Sequence, residues 1–267
     1  MKGRLRMKNK IGLAGSTYMH LTLEEALESV SKIGIKYIEL FTIPGFMDQV
    51  SINPEDASGT LDLCKKYGVE LNVVGGHFRM LKEDSVESFK KVIDIANLLG
   101  VDYIDNDSGE MKNESDKDTY YEDMRVLADY AATKGITIGI ETHGNWNNNG
   151  KIQAETVKKI DRPNVKITYD PANAIFYGDT NPDGDIEYAI PYLGHLHVKD
   201  KRGGKEIWDF PPLGEGEINF DKIFDLVKDF EGPMSIEMEL DGKAHPLDEV
   251  NAGVKTSYEF LKGYGLV

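Results

Sequence analysis

Four stretches in the second half of the chain carry residues that could do chemistry. Ile140-Glu141-Thr142, Tyr169-Asp170-Pro171, His195-Leu196-His197 and Ile236-Glu237-Met238 each set a carboxylate or an imidazole into a run that is otherwise apolar. A carboxylate buried without a partner is costly, so such residues need a cation, hydrogen-bond donors or water. A single one would be read as an ion pair or a hydrogen-bonded group. Four in register on four consecutive strands would converge if those strands close into a ring. Glu141, Asp170, His197 and Glu237 are then a candidate ligand set. Three carboxylates and one imidazole suit one hard or borderline divalent ion, Mn²⁺, Mg²⁺, Co²⁺ or Zn²⁺. His195 and His197 have strand spacing and face the same side, so one imidazole can ligate while the other supports it or meets substrate.

The elements that must position these residues follow from the rhythm of the chain. Short β-branched runs at residues 11–15, 37–43, 70–75, 101–106, 137–142, 165–169, 194–198 and 234–240 read as strands. Helical patterns lie between them: one opened by Thr22 with Glu25 as a capping box, then residues 54–67, 85–99, 118–134, 153–160, 186–192, 219–230 and 247–264. Gly68, Gly100 and Gly135 sit where helices end. Eight strand–helix pairs favour an α/β fold closed as a (β/α)₈ TIM barrel over an open sheet, and no Gly-x-Gly-x-x-Gly follows the first strand. In such a barrel the chemistry collects at the C-terminal strand ends and the loops beyond them. The run Asn145–Gly150, with four asparagines, reads as a polar loop or lid, and Trp146 and Trp208 each follow a strand and could wall a site.

Length and charge set the outer bounds. The 267 residues suit one barrel domain, residues 1–267, with a basic flexible tail over residues 1–9. A net charge of −15 repels phosphodiester backbones, so no nucleic-acid partner is expected. No apolar run suggests a signal peptide or a membrane span. Cys64 is the single cysteine, so no intrachain disulfide can form, and a buried structural thiol in a cytoplasmic protein is expected.

Taken in order and spacing, Ile140-Glu141, Tyr169-Asp170-Pro171-Ala172-Asn173, His195-Leu196-His197-Val198-Lys199-Asp200, Pro212-Leu213-Gly214-Glu215-Gly216 and Ile236-Glu237 resemble the signatures of the xylose isomerase-like barrels, the sugar phosphate isomerases/epimerases. The resemblance spans nearly the whole chain. It implies metal ligation by Glu141, Asp170, His197 and Glu237, the second histidine of the pair being the ligand. It also implies a small carbohydrate substrate, a homo-oligomer of unstated size, and Glu141 and Glu237 as the two carboxylates that carry a proton off and back beside a carbonyl while a metal stabilises the enediolate.

Further substrate contacts are expected at Glu39, His77, His143, Asn173, Lys199 and Arg202. Asn173 stands where similar ketose epimerases carry a histidine, and Arg202 falls near their arginine. Glu141-Thr142-His143 resembles the Glu-x-His of the family's dehydratases, so a metal-dependent dehydration of a keto acid or inosose is the alternative. Two further readings are weaker. An AP endonuclease needs histidines that this chain lacks at the end of its fourth strand, and a non-catalytic sugar-binding barrel should have lost a ligand.

Overall fold

The computed structural model describes residues 10–43, 45–77, 80–82 and 84–267, and in it the alternating runs close into a (β/α)₈ barrel. The strands are β1 (Ile11–Ala14), β2 (Tyr37–Ile43), β3 (Met47–Asp48), β4 (Glu70–Gly75), β5 (Tyr103–Asn106), β6 (Thr137–Glu141), β7 (Val165–Tyr169), β8 (Leu193–Lys199) and β9 (Met234–Glu237). All but β3 form the ring, each parallel to its neighbours; β1 pairs with both β2 and β9, which leaves no open edge. The two-residue β3 folds back antiparallel on β2 beyond the ring. Outside lie α1 (Leu23–Ile33), α2 (Pro54–Tyr67), α3 (Ser85–Leu99), α4 (Ser115–Ala132), α5 (Gly150–Ile160), α6 (Pro171–Phe176), α7 (Pro182–Ala189), α8 (Phe220–Leu226) and α9 (Leu247–Tyr264).

Local chemistry explains most element ends. Thr22 and Glu25 make the reciprocal capping box expected of them, and Gly34 ends α1 with a φ of 94° that a Cβ would disfavour. Asn53 caps α2 ahead of a proline in its first turn. Helix α5 starts at Gly150 rather than 153 because Asn149 accepts from Ile152 N, and α4 starts at Ser115 rather than 118. Helix α8 is shorter than expected, stopping at Leu226. Asn145 binds both backbone groups of Met111, Asn147 is buried against Thr156, and Asn149 caps α5. The asparagine run is thus fastened at three points. The basic tail expected over residues 1–9 lies outside the described residues.

Period-two alternation sends one set of strand residues into the ring and the other onto the helices. Val30, Phe89, Ile93, Leu127, Ile138, Ile167 and Ile236 belong to one continuous apolar core. Inside the ring Tyr103 reaches across to Thr168 Oγ1 at 3.2 Å, and a Cβ on Gly139 or Gly194 would come within 2.3 or 2.8 Å of that hydroxyl. Glycine is needed at both positions by this close approach. Tyr103 thus plugs the barrel below the polar layer. Cys64 is buried in α2, and burial pushes its thiol up to about 11, as suits an inert core residue. Among the described residues no helix is long and apolar enough to cross a membrane.

Candidate metal centre

The polar layer at the C-terminal ends of the strands draws one side chain from each of several neighbours. Glu141 closes β6 and Glu237 closes β9. Asp170 follows β7 as the N-cap of α6: its Oδ1 accepts from Ala172 N (2.8 Å) and Asn173 N (2.9 Å), with Pro171 in the first turn. The cap fixes the carboxylate and leaves Oδ2 turned inward. His197 sits on β8, where alternation puts His195, His197 and Lys199 on the same face.

His197 is the hub. Its Nδ1 lies 3.2 Å from Glu141 Oε1, 3.2 Å from Glu237 Oε2 and 3.8 Å from Asp170 Oδ2, while Nε2 lies 3.2 Å from Glu39 Oε2. Burial disfavours its charged form, yet Glu39 and Glu237 outweigh this and raise its pKa well above the ordinary range. Ligand atoms bound at about 2.0–2.2 Å to one cation stand roughly 3.0–3.6 Å apart, so much of this spacing suits a shared ion. One atom from each of Glu141, Asp170, His197 and Glu237 lies within 4.8 Å of the others. Asp170 Oδ2 and Glu237 Oε2 are buried and accept no hydrogen bond. Three crowded carboxylates with oxygens left over repel one another unless a cation lies between them, so the donor set fits a divalent metal.

The two glutamates differ in environment. Burial pushes the Glu141 carboxyl up to about 8 against the pull of His77 and His197, and Asn173 Nδ2 donates to its Oε1 at 3.3 Å. Burial would raise Glu237 too, but Lys199, His197 and a hydrogen bond from Ser16 Oγ (2.9 Å) hold it down at about 2.

The sequence-expected contacts divide into three groups. His77, His143, Asn173 and Lys199 line a cleft of about 370 Å³ above the layer, together with Glu141, Glu237, Tyr177, Trp208 and Phe210. His143 is bonded to the Tyr177 hydroxyl at 2.8 Å, and burial holds its pKa below the ordinary value. Lys199 pairs with Glu239 at 2.8 Å and lies over the Phe210 ring. Glu39 is a correction: it is fully buried beneath the cleft, behind His197 and His195, because an inward residue midway along β2 lies below the strand ends. Arg202 is the other correction. Its half-exposed guanidinium faces Asp209 and Glu215 outside the cleft walls. Trp208 lines the cleft, whereas Trp146 is buried against Tyr120 and Tyr121 as a packing anchor.

Ser16, Asp105, Tyr177 and Glu239 join the site without having been singled out. Asp105 and Glu239 were visible as acidic residues at strand ends; Ser16 lies in a one-turn helix after β1 that carries no pattern, and Tyr177 had no signal. The Leu213-Gly214-Glu215-Gly216 stretch wraps the buried Asp200 carboxylate, which accepts from the backbone of Lys201, Gly214, Gly216 and Ile218. A Cβ on Gly216 would meet Asp200 at 2.1 Å. This loop therefore shapes backbone behind the site.

The sequence matches the family described as xylose isomerase-like TIM barrel over residues 27–264. No curated protein is significantly similar to the chain. Among solved structures, the probable 3-DHS dehydratase AsbF involved in petrobactin synthesis from Bacillus anthracis superposes with a TM-score of 0.75 at 18% identity, covering 95% of this chain and 98% of that one. A D-psicose 3-epimerase solved in the presence of D-fructose gives 0.75 at 16% identity, over 97% and 100% of the two chains. The IolI protein with a bound zinc atom gives 0.74 at 20% identity, over 96% and 98%. At such identities the likeness carries the fold.

Proposed function

Because the chain belongs to the xylose isomerase-like TIM barrel family, we propose that it is an enzyme isomerising or epimerising a small keto sugar or sugar phosphate, with one divalent metal held by Glu141, Asp170, His197 and Glu237. The observation that carries this reading is the pair Glu141 and Glu237, two buried carboxylates within ligand distance of the same point, each held by its own hydrogen bond, from Asn173 and from Ser16. A bound divalent cation supplies positive charge beside the substrate oxygens as negative charge develops there.

The chain's own residues do the rest. Glu237, paired with Lys199 and hydrogen-bonded by Ser16, would take a proton from the carbon beside the carbonyl. Glu141, hydrogen-bonded by Asn173, would return one. His77, His143 and Lys199 offer donors to substrate hydroxyls, and Trp208 and Phe210 offer apolar faces to the sugar carbons. The cleft volume of about 370 Å³ suits a small molecule.

Dehydration of a keto acid or inosose is the second reading, and one contact favours it: His143, kept neutral by burial and bonded to Tyr177, lines the cleft with Glu141 and could take the proton beside the carbonyl and pass it to the hydroxyl that leaves as water.

Metal content of the purified protein, followed by a sugar panel in D₂O with Mn²⁺, Co²⁺ or Mg²⁺, tests both. The expected result is deuterium beside a carbonyl in the wild type and none with Glu237→Gln. A product short of one water would favour dehydration instead. A protein that takes up no metal and exchanges no substrate proton would overturn the metal-centred reading.

A further inference from the structure

The cleft over the metal centre adjoins a second, larger cavity that the chemistry above leaves unused. This outer cavity measures about 910 Å³ against about 370 Å³ for the cleft, and His143 and Tyr177 line both. Ligand sites commonly span about 300–1,000 Å³, so the cleft has room for one sugar ring and the outer cavity for a further body at least as large. We propose that the keto sugar held at the metal centre carries a second sugar ring, which lies in the outer cavity. The substrate is then a glycosylated, disaccharide-sized ketose whose two rings meet beside His143 and Tyr177. Such a substrate presupposes the metal-centred reading above.

Three features of the outer cavity suit a neutral sugar ring. The first is its mixed lining. Phe176 and Tyr177, with ring centroids 4.8 Å apart, give apolar surface for the carbon face of a ring. Asn113 and Asn148 give amides, and Glu110 and Glu206 give carboxylates, so both donors and acceptors are there for hydroxyls. The second is charge. Lys82, Lys112 and Lys205 share the lining with four carboxylates, those of Asp107, Glu110, Asp116 and Glu206. The wall therefore lacks the cationic excess that an anionic tail such as a phosphate would need. The third is a wall set in place before any ligand arrives. Asn145 binds both backbone groups of Met111, Asp116 Oδ2 accepts from the N–H groups of Lys112 and Asn113, and Glu206 N donates to Phe176 O at 3.1 Å. Leu81 (φ 71°) and Glu206 (φ 60°) both hold the left-handed backbone that side chains rarely adopt. Such strain persists where the surrounding structure imposes it, and it gathers at ligand-binding segments. A wall already ordered loses little conformational freedom on binding.

Isothermal titration calorimetry and saturation-transfer NMR on the full-length, Mn²⁺-loaded protein test the second ring. The probes are fructose, its glucosyl derivatives turanose, maltulose and isomaltulose, and fructose 6-phosphate. At least one glucosyl-fructose is expected to bind about 10-fold or more tighter than fructose, with saturation transferred to the protons of both rings. Lys112→Trp, which sets an indole at the wall of the outer cavity, should bring the ratio of those two affinities back toward one. Equal affinity for fructose and all three disaccharides, with no saturation of the glucosyl protons, would overturn the second ring and leave the metal-centred reading intact. Tighter binding of fructose 6-phosphate than of every disaccharide would overturn it in favour of a charged tail. Binding of none of the five sugars would overturn both readings. The wild-type comparison stands even if the variant fails to fold.

Discussion

Glu39 and Glu141 are both buried glutamates facing the barrel interior, yet they do different work because of their depth along the strand. Glu39 Oε2 faces His197 Nε2, so His197 presents Nδ1 to the carboxylate cluster. A carboxylate behind an imidazole fixes the tautomer and strengthens the ligand, and its loss typically costs 10–100-fold in metal affinity or activity. Glu39→Gln is expected to weaken Mn²⁺ binding about 10–100-fold in equilibrium titration, with KM for any substrate little changed at saturating metal. A raised KM with unaltered metal affinity would return Glu39 to the substrate contacts. Glu141 gives a pH prediction. Its carboxyl is pushed up to about 8 by burial, so in the metal-free protein it holds a proton at neutral pH that an arriving cation must displace. Metal affinity is therefore expected to rise between about pH 6 and pH 8, measured as Mn²⁺ dissociation constants across that range. A flat profile would show that Glu141 is already ionised.

The element that most constrains the centre is the one-and-a-half-turn helix α6. Asp170 serves it twice, with Oδ1 capping the helix and Oδ2 turned toward His197. Asparagine caps a helix about as well as aspartate, so Asp170→Asn separates the roles. Thermal unfolding without metal should change by no more than about 1 kcal/mol, while Mn²⁺ affinity should fall at least about 10-fold. A large loss of metal-free stability with metal binding retained would mean that the cap is the residue's main task. Strand β8 contributes by alternation: His195, His197 and Lys199 share its inner face, His197 lies 3.2 Å from both Glu141 and Glu237, and Lys199, opposite Glu237 in the register, lies 3.4 Å from it. His195, deeper and fully buried, has its pKa lowered to about 4 by burial and stays neutral beside Ser235.

For the whole molecule, the barrel spends stability to gather like charges. Carboxylates drawn from β2, β5, β6, β9 and the start of α6 are kept within a few ångströms by the closed ring, and the metal-free fold bears their repulsion. A ligand that binds only the folded state returns about 2.7 kcal/mol at a hundredfold excess over its dissociation constant. Saturating Mn²⁺ is thus expected to raise the Tm by roughly 5–10 °C in differential scanning fluorimetry, and EDTA should reverse the gain. No shift with any of Mn²⁺, Co²⁺, Mg²⁺ or Zn²⁺ would argue that Lys199 and protonated histidines alone balance the layer.

The sequence by itself determined the repeated strand–helix rhythm, and with it the barrel. Period-two and helical apolar patterns, the Thr22–Glu25 box and the glycines after α2 and α3 are local signals that need no distant contact. It also placed Glu141, Asp170, His197 and Glu237 at strand ends, where the closed ring brings them together. Boundaries at α4, α5 and α8 were less legible, since they depend on single caps and on where the chain must turn for the next strand. Only the tertiary structure decided that Glu39 lies beneath the centre, that Arg202 leaves the cleft for Asp209 and Glu215, and that Ser16 reaches Glu237 across 221 positions of sequence. Depth along a strand, the direction of a long side chain and the pairing of the first strand with the last are set by ring closure, and no local pattern encodes them.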